Sequence, residues 1–259
     1  RTGEILGNYT HVAIPYDFGE YTVREVSKTN GTGSIVDGYE IISYQGADLT
    51  SSYVFPDTLT VNGVTKPVIS VGDNAFRNSI AVNNAAISIV NNNLAYIGDY
   101  AFTGLGITVV RANAVLTIGD YAFANTKLQM AEFKALGSIG DYAVSDINTL
   151  NHLNLGTVKT IGISAVSNNP NLVQLYINNV ANNITLEGLA FNEIGTNAGN
   201  RLRIYVPYSS LDYYKTLLSD YKDYIYPLGY LKGNYVNAPI MYDIGEFTVR
   251  EVTINGVNG

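Results

Sequence analysis

A six-residue unit recurs along the middle of this chain and constrains the fold more than any other feature. Its copies are Val71–Phe76 (Val-Gly-Asp-Asn-Ala-Phe), Ile97–Phe102, Ile118–Phe123, Ile139–Val144 and the degraded Ile161–Val166 and Leu186–Phe191. They begin 26, 21, 21, 22 and 25 residues apart, within the roughly 20–29 residues of a leucine-rich repeat. Because units this short cannot bury an apolar face alone, the sequence predicts a stack of repeats, a solenoid.

A second element, apolar-x-x-apolar-x-apolar, lies between the copies. It reads Ile107/Val110/Ala112, Leu128/Ala131/Phe133, Leu150/Leu153/Leu155 and Leu172/Leu175/Ile177. Its last two apolar positions are two residues apart, which is the period of a strand, so stacked copies would form a parallel sheet. The opposite wall of the core is predicted from the apolar residues ahead of the next copy: Val115, Leu136, Val158 and Val180.

The conserved positions of the unit have local explanations. The glycine is expected to permit a tight turn. The aspartates Asp73, Asp99, Asp120 and Asp141 are each expected to cap a short helical turn of their own repeat. In that turn the alanine would lie close to the sheet and the phenylalanine would fill the interior. Tyr100, Tyr121 and Tyr142 share one repeat position, so they are expected to stack as a column.

Composition excludes several classes of function. With no Cys there is no disulfide, thiolate metal site or Cys nucleophile, and the two His residues are His11 and His152. A net charge of −7 disfavours nucleic acid, and no apolar run is long enough to insert into a membrane. The repeated Asp could offer calcium one acid per repeat, whereas calcium takes six to eight oxygens. We therefore expect no metal, no cofactor and no catalytic residue, that is, no enzyme.

The repeated unit resembles the BspA-like (Treponema-type) leucine-rich repeat of bacterial surface proteins. The resemblance covers about residues 36–228 and includes the lead-in from Tyr39 to Phe76 and the exit at Ile204–Pro207 and Ile225–Pro227. It departs from the family at Leu105, Thr126 and Ile147, where the family often has Cys. It implies a repeat solenoid with parallel strands on the concave face, short helical turns or irregular segments opposite, and flanking strands. It also implies an extracellular place on a bacterial cell surface, with adhesion to host or bacterial proteins.

The exit segment is predicted to carry a capping helix. Ser209 with Asp212 three residues on is an N-cap pattern. The apolar residues that follow recur at helical spacing: Leu211, Tyr214, Leu217, Leu218 and Tyr221. Such a helix would cover the open end of the sheet, although an ordinary connecting helix fits the pattern too.

A longer repeat flanks the solenoid. Residues 7–26 return as residues 233–252, with 13 of 20 aligned positions identical. Alternating apolar and polar residues predict strands in both copies. Either the second copy starts a further module, which we favour, or both copies form one flanking structure. The predicted organisation is a flanking strand segment at 1–35, the solenoid with its caps at 36–228, and the start of a second module at 229–259.

Recognition by a strand solenoid usually uses the outward strand positions. These are predicted as Arg111, Gln129, Glu132, His152, Asn154, Gln174, Tyr176 and Arg203. Their mixed chemistry suits a protein or glycan partner better than a polyanion. The sequence thus predicts a monomeric, non-catalytic binding module on the cell surface. A structural spacer in a tandem-repeat surface protein and a glycan-binding module are the alternatives.

Overall fold

The computed structural model describes residues 15–29, 33–46, 53–77, 87–198 and 201–228, together with the backbone of four short strands between 241 and 258. The strands of the solenoid and its lead-in are β1 Tyr16–Phe18, β2 Tyr21–Thr29, β3 Ile35–Tyr44, β4 Thr58–Val61, β5 Val64–Val71, β6 Ile87–Val90, β7 Tyr96–Ile97, β8 Ile107–Arg111, β9 Thr117–Ile118, β10 Met130–Glu132, β11 Ser138–Ile139, β12 His152–Asn154, β13 Thr160–Ile161, β14 Gln174–Tyr176, β15 Thr185–Leu186, β16 Arg203–Val206 and β17 Ile225–Pro227. The C-terminal strands are β18 Met241–Ile244, β19 Phe247–Arg250, β20 Thr253–Ile254 and β21 Val257–Asn258. The helix α1 spans Leu211–Leu217, between 3-10 turns at Tyr208–Ser210 and Ser219–Tyr224.

Two sheets enclose the core. One has the order β17-β16-β14-β12-β10-β8-β6, with every neighbouring pair parallel. The other has the order β1-β2-β3-β5-β7-β9-β11-β13-β15, with β4 paired to β5. In this second sheet the pairs from β3–β5 to β13–β15 are parallel. The pairs β1–β2, β2–β3 and β4–β5 are antiparallel. Each repeat therefore adds one strand to each sheet, which confirms the predicted solenoid.

The core is built from the apolar columns that the repeat predicts. The twelve residues of the second element are all at most 1% exposed, and so are Val115, Leu136 and Val158. Phe76, Phe102 and Phe123 stack face to face with ring centroids 5.1 and 5.3 Å apart. Val180 was predicted to join the opposite wall, and this is wrong because its side chain is 65% exposed. The insertion before the last copy shifts the register, and Ile184 is the buried residue there.

The repeated aspartates do not cap their own turns. Asp99 Oδ1 instead accepts a hydrogen bond from the backbone N–H of Asp120 in the next repeat, at 2.8 Å. In the same way, the backbone N–H of Asp141 donates to Asp120 Oδ1 at 2.7 Å. Asp73 accepts from Asp99 N, and Asp141 accepts from Ile163 N. The predicted helix caps are therefore wrong, and the carboxylates form a ladder that ties each unit to the next.

The role expected for the glycine is also wrong at most copies. The left-handed residue of the turn is the fourth position, with φ of 55° at Tyr100 and 54° at Tyr121. The glycine is required for close stacking, because a Cβ on Gly119 would lie 2.3 Å from Asp99 Oδ1 and 2.7 Å from Asp99 N. The tyrosine column is confirmed, with rings of Tyr100, Tyr121 and Tyr142 stacked 4.9 Å apart.

The C-terminal end of the core is covered by α1, whose N-cap is Ser210 and not the predicted Ser209. The Ser210 side chain makes no capping hydrogen bond. Tyr214 is fully buried and donates its hydroxyl to Asn179 O at 2.9 Å. Tyr221 donates to Phe191 O at 2.7 Å. The helix and the 3-10 turn after it therefore close the solenoid through side-chain bonds to the last repeats.

Candidate functional site

The outward face of the sheet from β6 to β17 carries two rows of side chains, one on each side of a buried row. The strand register aligns Ser88, Val109, Met130, His152, Gln174 and Arg203 in the first row. It aligns Val90, Arg111, Glu132, Asn154, Tyr176, Tyr205 and Tyr226 in the second row. The row between them, from Ile89 to Ile225, is at most 5% exposed. We call the two outward rows the ladder face.

Seven of the eight predicted recognition residues lie on the ladder face. Gln129 does not, because it precedes β10 and the outward position is held by Met130. Asn154 lies on the face, but its Oδ1 accepts a hydrogen bond from Gly156 N in its own loop. The sequence analysis missed Tyr205 and Tyr226. Their alternation around Ile204 and after Ile225 gives the same strand signal that identified Tyr176.

One half of the ladder face is a chain of polar contacts. Glu132 lies between two bases, with Oε2 3.4 Å from Arg111 Nε and Oε1 3.7 Å from His152 Nε2. On its other side, the His152 ring nitrogen Nδ1 is 3.1 Å from Gln174 Oε1. Arg111 also lies within 3.5 Å of the Met130 sulfur. These contacts join four strands, so the side chains are held in place before any partner arrives.

The other half is a ladder of aromatic rings. His152 and Tyr176 have ring centroids 5.1 Å apart, and Tyr176 and Tyr205 are stacked at 4.8 Å with an interplanar angle of 22°. Tyr226 follows at 6.5 Å from Tyr205, and the Arg203 guanidinium lies 4.8 Å from the Tyr226 centroid. The ring faces are thus turned toward one another or toward Arg203. Because the faces are stacked, the ladder offers ring edges and hydroxyls for outside contacts.

The hydroxyl of Tyr176 stays protonated at neutral pH. Burial raises its pKa above the ordinary value for tyrosine, and the neighbouring Tyr205 and Glu132 raise it further. A neutral phenol is both a donor and an acceptor of hydrogen bonds. The tyrosine half of the ladder face therefore offers polar groups of either kind without adding charge.

The described residues show little that would support chemistry. They contain no group of three or more His, Cys, Asp or Glu placed to hold a metal ion. His152 has Glu132, Gln174 and Tyr176 around its ring, and none of these is an activated nucleophile of the Ser-His-Asp kind. His11 lies outside the described residues. No helix in the described part of the chain is long and apolar enough to cross a membrane.

The architecture and the ladder face together define a leucine-rich repeat solenoid. The profile of the BspA type leucine-rich repeat region matches six copies over residues 69–195. The repeats at residues 69–195 are therefore of the BspA leucine-rich repeat type, as the repeated unit led us to expect.

The first of three similar solved structures supports this fold. The pneumococcal vaccine antigen PcpA aligns with a TM-score of 0.57 at 18% identity, covering 77% of this chain and 51% of PcpA. A leucine-rich cell surface protein from Faecalibacterium prausnitzii A2-165 aligns at 0.49 and 16% identity, covering 77% and 50%. A leucine-rich repeat protein from Bacteroides ovatus ATCC 8483 aligns at 0.38 and 18%, covering 74% and 55%. The chain thus spans about half the length of these proteins. No curated protein matches it.

Proposed function

We propose that this chain is a non-catalytic binding module of a bacterial cell surface, and that the ladder face is its binding surface for another protein. The observation that carries the proposal is the continuous set of ordered side chains across six strands, from Arg111 to Tyr226. Their mutual contacts fix their conformations in advance, which lowers the entropy lost when a partner binds. Tyrosine and arginine are also the residues most enriched at energetically important contacts.

A protein partner fits the tyrosine ladder better than a glycan does. Sugars pack against an open aromatic face, but the faces of Tyr176 and Tyr205 are 4.8 Å from each other. Arg203 covers a face of Tyr226. The hydroxyls and edges that point outward suit hydrogen bonding and edge contacts with a protein surface.

The comparison with PcpA and the repeated unit support the proposed location. PcpA is described as a vaccine antigen, and the unit resembles the BspA-like repeat of bacterial surface proteins. The absence of Cys from this chain is compatible with an extracellular setting that does not rely on disulfides. We extend the same location to this chain.

The test is a binding array of extracellular matrix proteins, bacterial surface proteins and glycans, probed with the full chain. We expect binding to one or more proteins, reduced about tenfold or more by Tyr176→Ala or by Tyr205→Ala. Thr160→Ala is the matched control, because Thr160 is exposed on the other sheet, and it should leave binding unchanged.

The alternatives give different outcomes. Binding to glycans alone, lost in the same tyrosine variants, would replace the protein partner with a sugar. If the chain binds no member of the array, the structural spacer is favoured. Binding that survives both tyrosine variants but falls with Thr160→Ala would move the site to the other sheet and refute the ladder face.

A further inference from the structure

The two copies of the long repeat fold into hairpins of the same register. In the first copy β1 and β2 pair Tyr16 with Val23 and Asp17 with Thr22. In the second copy β18 and β19 pair Tyr242 with Val249 and Asp243 with Thr248. These are the same pairs displaced by 226 residues. The repeat is therefore one of structure as well as of sequence.

The strands after the second hairpin pair differently from those after the first. In the first copy the end of β2 pairs with the start of β3, Thr29 with Ile35. In the second copy β20 pairs with β21, Thr253 with Asn258 and Ile254 with Val257, which is a tighter turn, and this pair lies in a sheet of its own. The shared register is therefore that of the hairpin itself.

The residues retained in the second copy are those that bind the first hairpin to the solenoid. Val23 is fully buried beneath the sheet. Arg24 forms an ion pair with the buried Glu40 of β3, and Ser70 of β5 also donates to that carboxylate at 2.8 Å. Glu25 pairs with Lys66 of β5 at 2.8 Å. In an isolated hairpin these side chains would lack the partners that β3 and β5 supply.

All three residues recur in sequence, as Val249, Arg250 and Glu251. The pair internal to the hairpin, in which Thr22 donates to Asp17 at 2.8 Å, recurs as well. By contrast, Tyr21, whose hydroxyl contacts that of Tyr53, is replaced by Phe247. The retained set therefore specifies an acceptor with an acid in place of Glu40 and a lysine in place of Lys66.

We propose that the hairpin of β18 and β19 is a second cap, and that its acceptor is a second solenoid unit of this kind. The first hairpin shows the required surface: a strand of β3 type carrying a buried carboxylate, beside a strand of β5 type carrying a lysine. The complementary charges of Arg250 and Glu251 fit this surface and not a generic apolar edge. The chain would then be one unit of a tandem array.

The first test compares matched charge reversals in the full chain. Arg24→Glu places two carboxylates together at Glu40, so we expect it to lower the unfolding midpoint of the solenoid and the hydrogen-exchange protection of β3. Arg250→Glu should change neither, because its acceptor belongs to another unit. If both copies formed one flanking structure, the two variants would lower the midpoint alike, and that result would overturn the proposal.

The second test supplies the acceptor. Residues 34–228 are appended after Gly259, which corresponds to Gly33, to make a tandem chain. In this chain Arg250→Glu should lower the midpoint of the second unit. A silent Arg250→Glu in the tandem chain would refute the proposed pairing.

A graft separates this result from a failure of the tandem chain to fold. Residues 7–26 of the full chain are changed to the sequence of 233–252 by T10V, H11N, V12A, A13P, P15M, F18I and Y21F. The graft should keep the protection of β3, and adding Arg24→Glu to it should remove that protection. Loss of β3 protection in the graft alone would show that the second copy cannot act as a cap.

Discussion

Two glycines at the same repeat position should respond in opposite ways to the same substitution. Gly72 and Gly119 both precede the aspartate of their unit. A Cβ on Gly72 would meet Ile41 O at 3.4 Å and Ile42 Cα at 3.6 Å, which is ordinary van der Waals contact. A Cβ on Gly119 would meet Asp99 N at 2.7 Å and Gly98 C at 2.8 Å. These are backbone atoms of the preceding repeat, so they cannot rotate away.

The expected cost at Gly119 has two parts. Forcing two stacked repeats apart is overpacking, which typically costs about 1–3 kcal/mol. The same Cβ also displaces Asp99 Oδ1, which accepts the hydrogen bond from Asp120 N at 2.8 Å, worth about 1 kcal/mol. Gly119→Ala should therefore lower the free energy of unfolding by about 2–4 kcal/mol. Gly72→Ala should be neutral, or stabilising by up to about 1 kcal/mol, because alanine restricts the unfolded chain.

Urea unfolding followed by circular dichroism measures both variants against the wild-type chain. The expected result is a lower midpoint for Gly119→Ala and an unchanged or higher midpoint for Gly72→Ala. Equal losses in the two variants would show that the glycine is needed for its backbone conformation, as the sequence led us to expect, and would refute the close-stacking argument.

Three further predictions concern a hydrogen bond between repeats, the packing of the core and the ionisation of buried tyrosines. Asp120→Ala removes the acceptor for Asp141 N and should cost about 1–3 kcal/mol, whereas Asp120→Asn keeps an oxygen there and should cost less; thermal unfolding that ranks them in the other order would contradict the ladder. Phe102→Ala empties the middle of the buried phenylalanine stack and should cost about 3–5 kcal/mol. A loss below about 1 kcal/mol in urea unfolding would mean that neighbouring side chains refill the space. Burial raises the pKa of Tyr214, and burial together with Glu20 raises that of Tyr44 to about 12. These tyrosines ionise more easily in the unfolded chain, so the free energy of unfolding should be constant below pH of about 10 and fall as the pH rises toward 12. Tyr214→Phe should make that fall less steep in a pH series of thermal unfolding. An unchanged slope would contradict the role assigned to Tyr214.

The sequence predicted the core well because burial in a solenoid is periodic. Leu153 and Val158 could be assigned inward from spacing alone, and both are fully buried. The prediction for Val180 is wrong because an insertion before the last copy breaks the period. Spacing counted from the earlier copies then no longer identifies the buried position. Here the neighbour Ile184 takes the buried place.

The aspartates show a different limit of sequence reasoning. An acidic residue between a glycine and a turn has the sequence pattern of a local helix cap. The pattern is the same when its carboxylate accepts a hydrogen bond from another repeat. Only stacking decides that Asp99 receives the N–H of Asp120, 21 residues along the chain. The glycine was misjudged for the same reason, because its constraint is the backbone of the preceding repeat.

The candidate site could be located in part from alternation. Residues that flank a buried strand position, such as His152 and Tyr176, were placed outward, and they lie on the ladder face. Gln129 was placed one residue too early, because the strand begins at Met130. The contacts among the residues could not be predicted, since Glu132 meets Arg111 and His152 from two neighbouring strands.

The degraded copies explain where the solenoid ends. Asp141 Oδ1 accepts a hydrogen bond from Ile163 N, but Ile163 has no carboxylate to accept one from the next copy. The tyrosine column also stops at Tyr142, since Ser164 follows at that position. Beyond these copies, tyrosine hydroxyls of the cap make the connecting hydrogen bonds. Tyr214 donates to Asn179 O and Tyr221 donates to Phe191 O. Side chains of the terminal helix and of the 3-10 turn after it thus replace the missing next repeat. The loss of the repeat motif and the start of the cap are therefore two parts of one structural solution.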